Sequence, residues 1–147
     1  MRILIVDDSK YQRFIIGQSL AGYGVCDQAA DGVEAVAKVK EALDAGVPYA
    51  LIVLDILMPG MDGHQALRTI SALLQERGVP AGQRPRVIML SSLDDPETMM
   101  QAQVDEGADY YITKPFEDKT LVEAMRSLEL ISNPLENEQD SDECDEC

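Results

Sequence analysis

Three uninterrupted apolar runs, Ile3-Leu4-Ile5-Val6, Leu51-Ile52-Val53-Leu54 and Val87-Ile88-Met89-Leu90, constrain this chain more than any other feature. None alternates polar with apolar residues, so each reads as a strand buried on both faces. A sheet covered on both sides needs helices above and below it, and the intervals supply them. Ile16, Leu20 and Tyr23, then Val36, Val39 and Leu43, then Leu67, Ile70 and Leu74, and finally Leu121, Met125 and Leu128 recur at three- or four-residue spacing. Each set makes one buried stripe. Ser9 with Gln12, Asp31 with Glu34, and Asp62 with Gln65 stand at capping-box spacing at the starts of three of these helices. Residues 96–106 carry the poorest stripe, which predicts the most exposed helix of the set.

Residues 24–29 and 109–112 are weaker strand candidates that suit the outer places of a sheet. Strands alternating with helices imply right-handed crossovers and a doubly wound α/β fold. The expectation is a flavodoxin-like five-stranded parallel sheet in the order 2-1-3-4-5 with five helices. Pro80, Gly82 and Pro85 predict a long loop before the fourth strand. From residue 132 the apolar period stops, so the expected organisation is a domain over residues 1–131 and an acidic, disordered tail over 132–147.

A chain of 147 residues with 46% hydrophobic and 27% charged residues is ordinary for one globular domain. The net charge of −15 is uneven, because seven acids and no Lys or Arg fall within residues 132–147. The rest is still acidic and shows no basic patch, which argues against direct binding to nucleic acid or to anionic lipid. The opening residues lack the pattern of a signal peptide and no run is long enough to span a membrane. Three cysteines, with Cys26 alone in the body, do not form a disulfide framework, so a reducing cytoplasm is the expected compartment. Cys144 and Cys147 form a Cys-x-x-Cys, but two ligands in an acidic run make a weak metal site.

Chemistry-bearing residues follow directly on the apolar runs: Asp7 and Asp8 after the first, Asp55 after the third, Ser91 after the fourth, Lys114 just beyond the fifth strand. In an open parallel sheet, carboxyl ends of strands are where ligands bind, and the order 2-1-3-4-5 would bring these groups together. Three carboxylates close together raise one another's pKa unless a cation holds them ionised. Oxygen ligands without His or Cys favour Mg2+. Lys114 adds a second positive charge suited to a phosphoryl oxygen. Asp7-Asp8, the run from Asp55 through Leu57, Met58, Pro59 and Asp62 to Gly63, Ser91, and Lys114-Pro115 resemble the receiver domains of two-component signalling over residues 2–131.

That resemblance implies that Asp55 is the phosphoacceptor, loaded by a histidine kinase or histidine phosphotransfer protein. It implies that Asp7, Asp8, Asp55 and the Leu57 backbone carbonyl hold Mg2+, and that Ser91 and Lys114 contact the phosphoryl group. It further implies a switch in which Ser91 and Tyr111 move and alter a partner-binding face made by the fourth helix, fifth strand and fifth helix, with a phosphorylation-dependent homodimer as one outcome. The chain then reads as a stand-alone response regulator and not an enzyme, catalysing only its own phosphorylation and dephosphorylation and acting through a downstream protein. Leu57 and Leu93 stand where many relatives carry polar groups that assist an attacking water, so the phosphoryl group is expected to hydrolyse slowly. His64 is expected on an exposed helix face. The competing readings are a phosphorylation-independent interaction module and a haloacid-dehalogenase-like phosphatase; the latter resembles a motif with a second Asp two places after the nucleophile, where this chain has Leu57.

Overall fold

The apolar runs become the three inner strands of one sheet. The computed structural model describes residues 1–56, 60–92, 108–114 and 116–130. Its strands are β1 (Arg2–Val6), β2 (Val25–Ala29), β3 (Leu51–Asp55), β4 (Arg86–Ser92) and β5 (Tyr110–Lys114). They pair in parallel throughout, in the order β2-β1-β3-β4-β5. Four helices are described: α1 (Lys10–Leu20), α2 (Gly32–Ala45), α3 (Gly63–Glu76) and α4 (Asp118–Ser127). The helix expected over residues 96–106 lies outside the described residues, so α4 is the last of the expected series. The loop before β4 contains a short 3-10 turn, Ala81–Gln83.

The lack of alternation in the runs has a direct cause. Leu4, Val6, Ile52, Leu54, Val87 and Met89 enter one core layer with α2 and α3, whereas Ile3, Ile5, Leu51, Val53, Ile88 and Leu90 enter the other with α1 and α4. Both strand faces are apolar because both meet helices. Each such Leu or Ile contributes about 1.5–3 kcal/mol by leaving water.

The caps form as expected, and Asp62 with Gln65 completes a reciprocal capping box at the start of α3. Gly46 ends α2 in the left-handed region at φ 76°, where its N–H reaches the Ala42 and Leu43 carbonyls. On α2 the buried centre is Ala35, Val39 and Ala42, with Val36 and Leu43 only partly buried, because small side chains let the helix approach the sheet.

Two expectations need correction. Tyr23 does not extend the α1 stripe: α1 ends at Leu20, Gly22 and Gly24 flank the tyrosine, and it is 38% exposed in the turn leading to β2. His64 is not on an exposed face. It is 7% exposed, because it sits three residues before Leu67 and continues the stripe through Ile70 and Leu74 back to the first turn of α3.

Candidate functional site

Carboxyl ends of β1, β3, β4 and β5 are neighbours in this sheet order, and they bring the polar residues to one edge. Asp7 directly follows β1, Asp55 ends β3 and Lys114 ends β5. Asp55 is in register with Leu90 on β4, so Ser91 stands one residue beyond its partner, and Ser91 is in turn paired with Thr113, next to Lys114. Asp7, Asp55 and Ser91 are buried, at 1%, 4% and 2% exposure, although all three are polar. Asp8 is exposed.

The Lys114 ammonium lies between two of these carboxylates, 3.2 Å from Asp55 Oδ1 and 3.3 Å from Asp7 Oδ2. The other oxygen of Asp7, Oδ1, accepts from the Ser9 backbone N–H at 2.9 Å, so the start of α1 orients that side chain. One ligand oxygen each from Asp7, Asp8 and Asp55 lies within 4.8 Å of the others. Burial, and then repulsion by Asp7, push the Asp55 carboxyl up to about 6 against the attraction of Lys114. Burial works against the charge of Lys114, but Asp55 and Asp7 outweigh it and hold its pKa above the ordinary lysine value.

This donor set fits a hard divalent cation. The oxygens converge, none of the three residues brings nitrogen or sulfur, and ionised Asp55 is disfavoured until positive charge arrives. Among the described residues the buried Ser91 Oγ has no hydrogen-bond partner, although a buried hydroxyl left unpaired costs free energy. A ligand oxygen at this edge would relieve it.

Asp55 is positioned from behind by a close approach between strand and helix. The Ile56 N–H donates to the Leu90 carbonyl at 3.0 Å, and the Gly63 N–H donates to the Ile56 carbonyl at 2.8 Å. A Cβ at Gly63 would stand 2.5 Å from the Asp55 carbonyl oxygen and 2.7 Å from the Ile56 Cα, so only glycine lets α3 begin there. Its place inside the quoted motif is the one sequence signal of that role. Tyr111 pairs with Met89 and packs on the layer of α2 and α3, whereas the adjacent Tyr110 packs on the layer of α1 and α4. Leu57 and Leu93 lie outside the described residues.

The chain is similar to known proteins over most of its length. Residues 3–126 match the response regulator receiver domain. The chain is 38% identical over 129 residues to the chemotaxis protein CheY of Treponema pallidum, covering 86% of this chain and 81% of that protein. To CheY of Bacillus subtilis it is 34% identical over 126 residues, covering 84% and 93%. Among solved structures, the CheX–CheY–BeF3–Mg2+ complex from Borrelia burgdorferi matches at a TM-score of 0.70 with 31% identity, covering 87% of this chain and 88% of that one. Vibrio cholerae CheY4 matches at 0.69 with 28% identity, covering 86% and 96%. Sheet order, polar strand ends and these likenesses agree: the chain belongs to the response regulator receiver domain family, the signalling switches of two-component systems.

Proposed function

We propose that Asp55 accepts a phosphoryl group from the histidine of a kinase or of a histidine phosphotransfer protein, with Mg2+ as the cofactor. The observation that carries this reading is the seat of Asp55: a buried carboxylate with Lys114 Nζ at 3.2 Å and the carboxylates of Asp7 and Asp8 beside it. In the transfer, an Asp55 oxygen bonds to phosphorus as the P–N bond to the donor imidazole breaks. The bonding pair stays on the nitrogen, which takes up a proton. Lys114 neutralises charge on the phosphoryl oxygens, and the Ser91 hydroxyl donates to one of them. Asp7, Asp8, Asp55 and the Leu57 carbonyl are the groups that would hold Mg2+, which when bound supplies charge neutralisation between carboxylates and phosphoryl oxygens. That a relative of 31% identity forms a complex with BeF3 and Mg2+ supports the same chemistry here.

Signalling then follows from a population shift in which Ser91 and Tyr111 favour an active arrangement once the phosphoryl group is present. The face involved is that of residues 96–106, β5 and α4, read by a downstream protein or by a second copy of the chain. Residues 1–131 form the switch, and the acidic residues 132–147 lie beyond it. Among the described residues no helix is long and apolar enough to cross a membrane, which is consistent with a cytoplasmic site of action.

The test is incubation with Mg2+ and acetyl phosphate, followed by intact mass measurement of wild type and Asp55→Ala. The expected result is one added phosphoryl group on wild type and none on the variant. No addition to wild type, or steady turnover of a phosphoester, would refute the switch.

A further inference from the structure

The peptide that joins Asp7 to Asp8 is held by a residue outside the acidic cluster. The ladder between β1 and β2 ends at the Asp7 N–H, which donates to the Ala29 carbonyl at 3.2 Å. Beyond that point the Asp7 carbonyl is served by a side chain: Arg13 Nη1 donates to it at 2.6 Å. Arg13 lies one turn inside α1, where its own N–H donates to the Ser9 carbonyl at 3.0 Å. Its Nε donates to Gln28 Oε1 on β2 at 3.1 Å. One planar guanidinium therefore ties α1, the end of β1 and β2 together, and the bond to the Asp7 carbonyl is charge-assisted and short.

A peptide group is planar, so fixing its carbonyl fixes the plane from which the next residue departs. The next residue is Asp8. Its side chain is exposed, so its aim depends on the backbone that carries it. Asp7 is already oriented at Oδ1 by the Ser9 N–H and at Oδ2 by Lys114. The Arg13 contact adds the missing constraint, on the link between the two carboxylates.

We propose that Arg13 is a positioning residue for the cation site, holding the Asp7–Asp8 peptide so that both carboxylates face one ion, with Gln28 bracing the guanidinium. The inference rests on the reading of Asp7 and Asp8 as cation-binding groups. It makes a claim of definite sign. A positive guanidinium beside an acidic cluster repels an incoming cation, so if Arg13 acted through charge alone, its removal would tighten Mg2+ binding. If it acts by holding the peptide, its removal loosens binding.

Calorimetric titration of Mg2+ into metal-free wild type, Arg13→Gln, Arg13→Lys, Gln28→Ala and the Arg13→Gln/Gln28→Ala double variant, at fixed ionic strength, separates the two. The expected result is a Kd raised about tenfold by Arg13→Gln, the low end of losses at groups that orient metal ligands. Gln28→Ala, which removes the acceptor that braces Arg13, raises it by a smaller factor. The double variant is no looser than Arg13→Gln, because Gln28 acts only through Arg13. Arg13→Lys, with one donor nitrogen and the charge retained, recovers part of the affinity. The carbonyl carbon resonance of Asp7 in the metal-free protein moves in Arg13→Gln and less in Arg13→Lys. Binding by Arg13→Gln as tight as wild type or tighter overturns the proposal. So does a loss of affinity that follows urea midpoints alone, with Arg13→Lys no better than Arg13→Gln. If Arg13→Gln does not fold, Gln28→Ala and Arg13→Lys decide the matter by the same comparison. Absence of Mg2+ binding by wild type removes the cation-site reading itself, whereas wild-type binding unchanged in the variants removes only the role of Arg13.

Discussion

Replacing Asp55 by asparagine in the metal-free protein should make the fold more stable at neutral pH. The folded state raises the Asp55 carboxyl from 3.8 to about 6, chiefly by burial and then by repulsion from Asp7. An acid whose pKa is raised on folding binds its proton more tightly in the native state, so native stability falls as pH rises from about 4 to about 6 and stays reduced above that. A shift of roughly two units corresponds to about 3 kcal/mol, at 1.36 kcal/mol per unit. Because Asp55 is only 4% exposed, solvent screening removes little of this. Asparagine has the shape of the protonated acid and is neutral at every pH, so it escapes the deficit. Urea unfolding followed by circular dichroism at pH 7.5 in EDTA should show a midpoint about 2 M higher for Asp55→Asn, taking a slope of about 1.5 kcal/mol/M. At pH 4 the difference should shrink towards zero. Saturating Mg2+ should stabilise wild type more than the variant, since a ligand that binds only the native state adds to stability. A variant no more stable than wild type at pH 7.5, or a gain of equal size at pH 4, would refute the electrostatic account of this site.

Ser91→Ala should raise the stability of the unphosphorylated protein by up to about 1 kcal/mol, because it deletes a buried hydroxyl that has no partner among the described residues, while weakening retention of the phosphoryl group; thermal unfolding and phosphorylation by acetyl phosphate read the two effects. Gly63→Ala should cost about 1–3 kcal/mol or more, since the new methyl meets the Asp55 carbonyl at 2.5 Å, and should slow phosphorylation beyond the loss of folded protein, measured as initial rate per folded molecule. The phosphoprotein, purified with Mg2+ present, should persist far longer than seconds, because leucines at 57 and 93 cannot orient a water; a lifetime of only seconds by acid-quenched mass measurement would sink this idea.

The inner strands were legible because β1, β3 and β4 each carry an unbroken apolar run, and a run covered by helices on both sides leaves that mark. The edge strand β2 was faint for the opposite reason: its sequence Val-Cys-Asp-Gln-Ala leaves Val25 and Gln28 exposed, so little of it needs to be apolar. Periodicity misled at Tyr23, where spacing continued but glycines had already ended the helix. The polar character of His64 suggests an exposed face, but it occupies the next place on the α3 stripe and is buried. The convergence of polar groups at the strand ends is legible from position, since each follows a run whose direction the parallel topology fixes. The roles of Arg13 and Gly63 leave no mark in residue spacing. Their contacts join elements distant in the chain, a guanidinium on a carbonyl and a missing Cβ over another, and spacing does not encode an approach of that kind.

The placement of Lys114 between Asp7 and Asp55 also bears on the valence of the ion this edge would take. Counting only the three carboxylates and the ammonium that touches two of them, and leaving aside the Arg13 guanidinium at the Asp7 carbonyl, the sum with all three acids ionised is two units negative, which one divalent ion would neutralise. A sodium or potassium ion would leave it short by one unit, and a trivalent ion would overshoot. The abundant monovalent ions of a cell are therefore poor occupants by charge balance alone, before size or ligand geometry is considered. In the proposed transfer, a phosphoryl dianion on Asp55 would leave the edge one unit negative with that ion and the ammonium both counted, so the neutral Ser91 hydroxyl, buried at the same edge, is the further donor there to answer it.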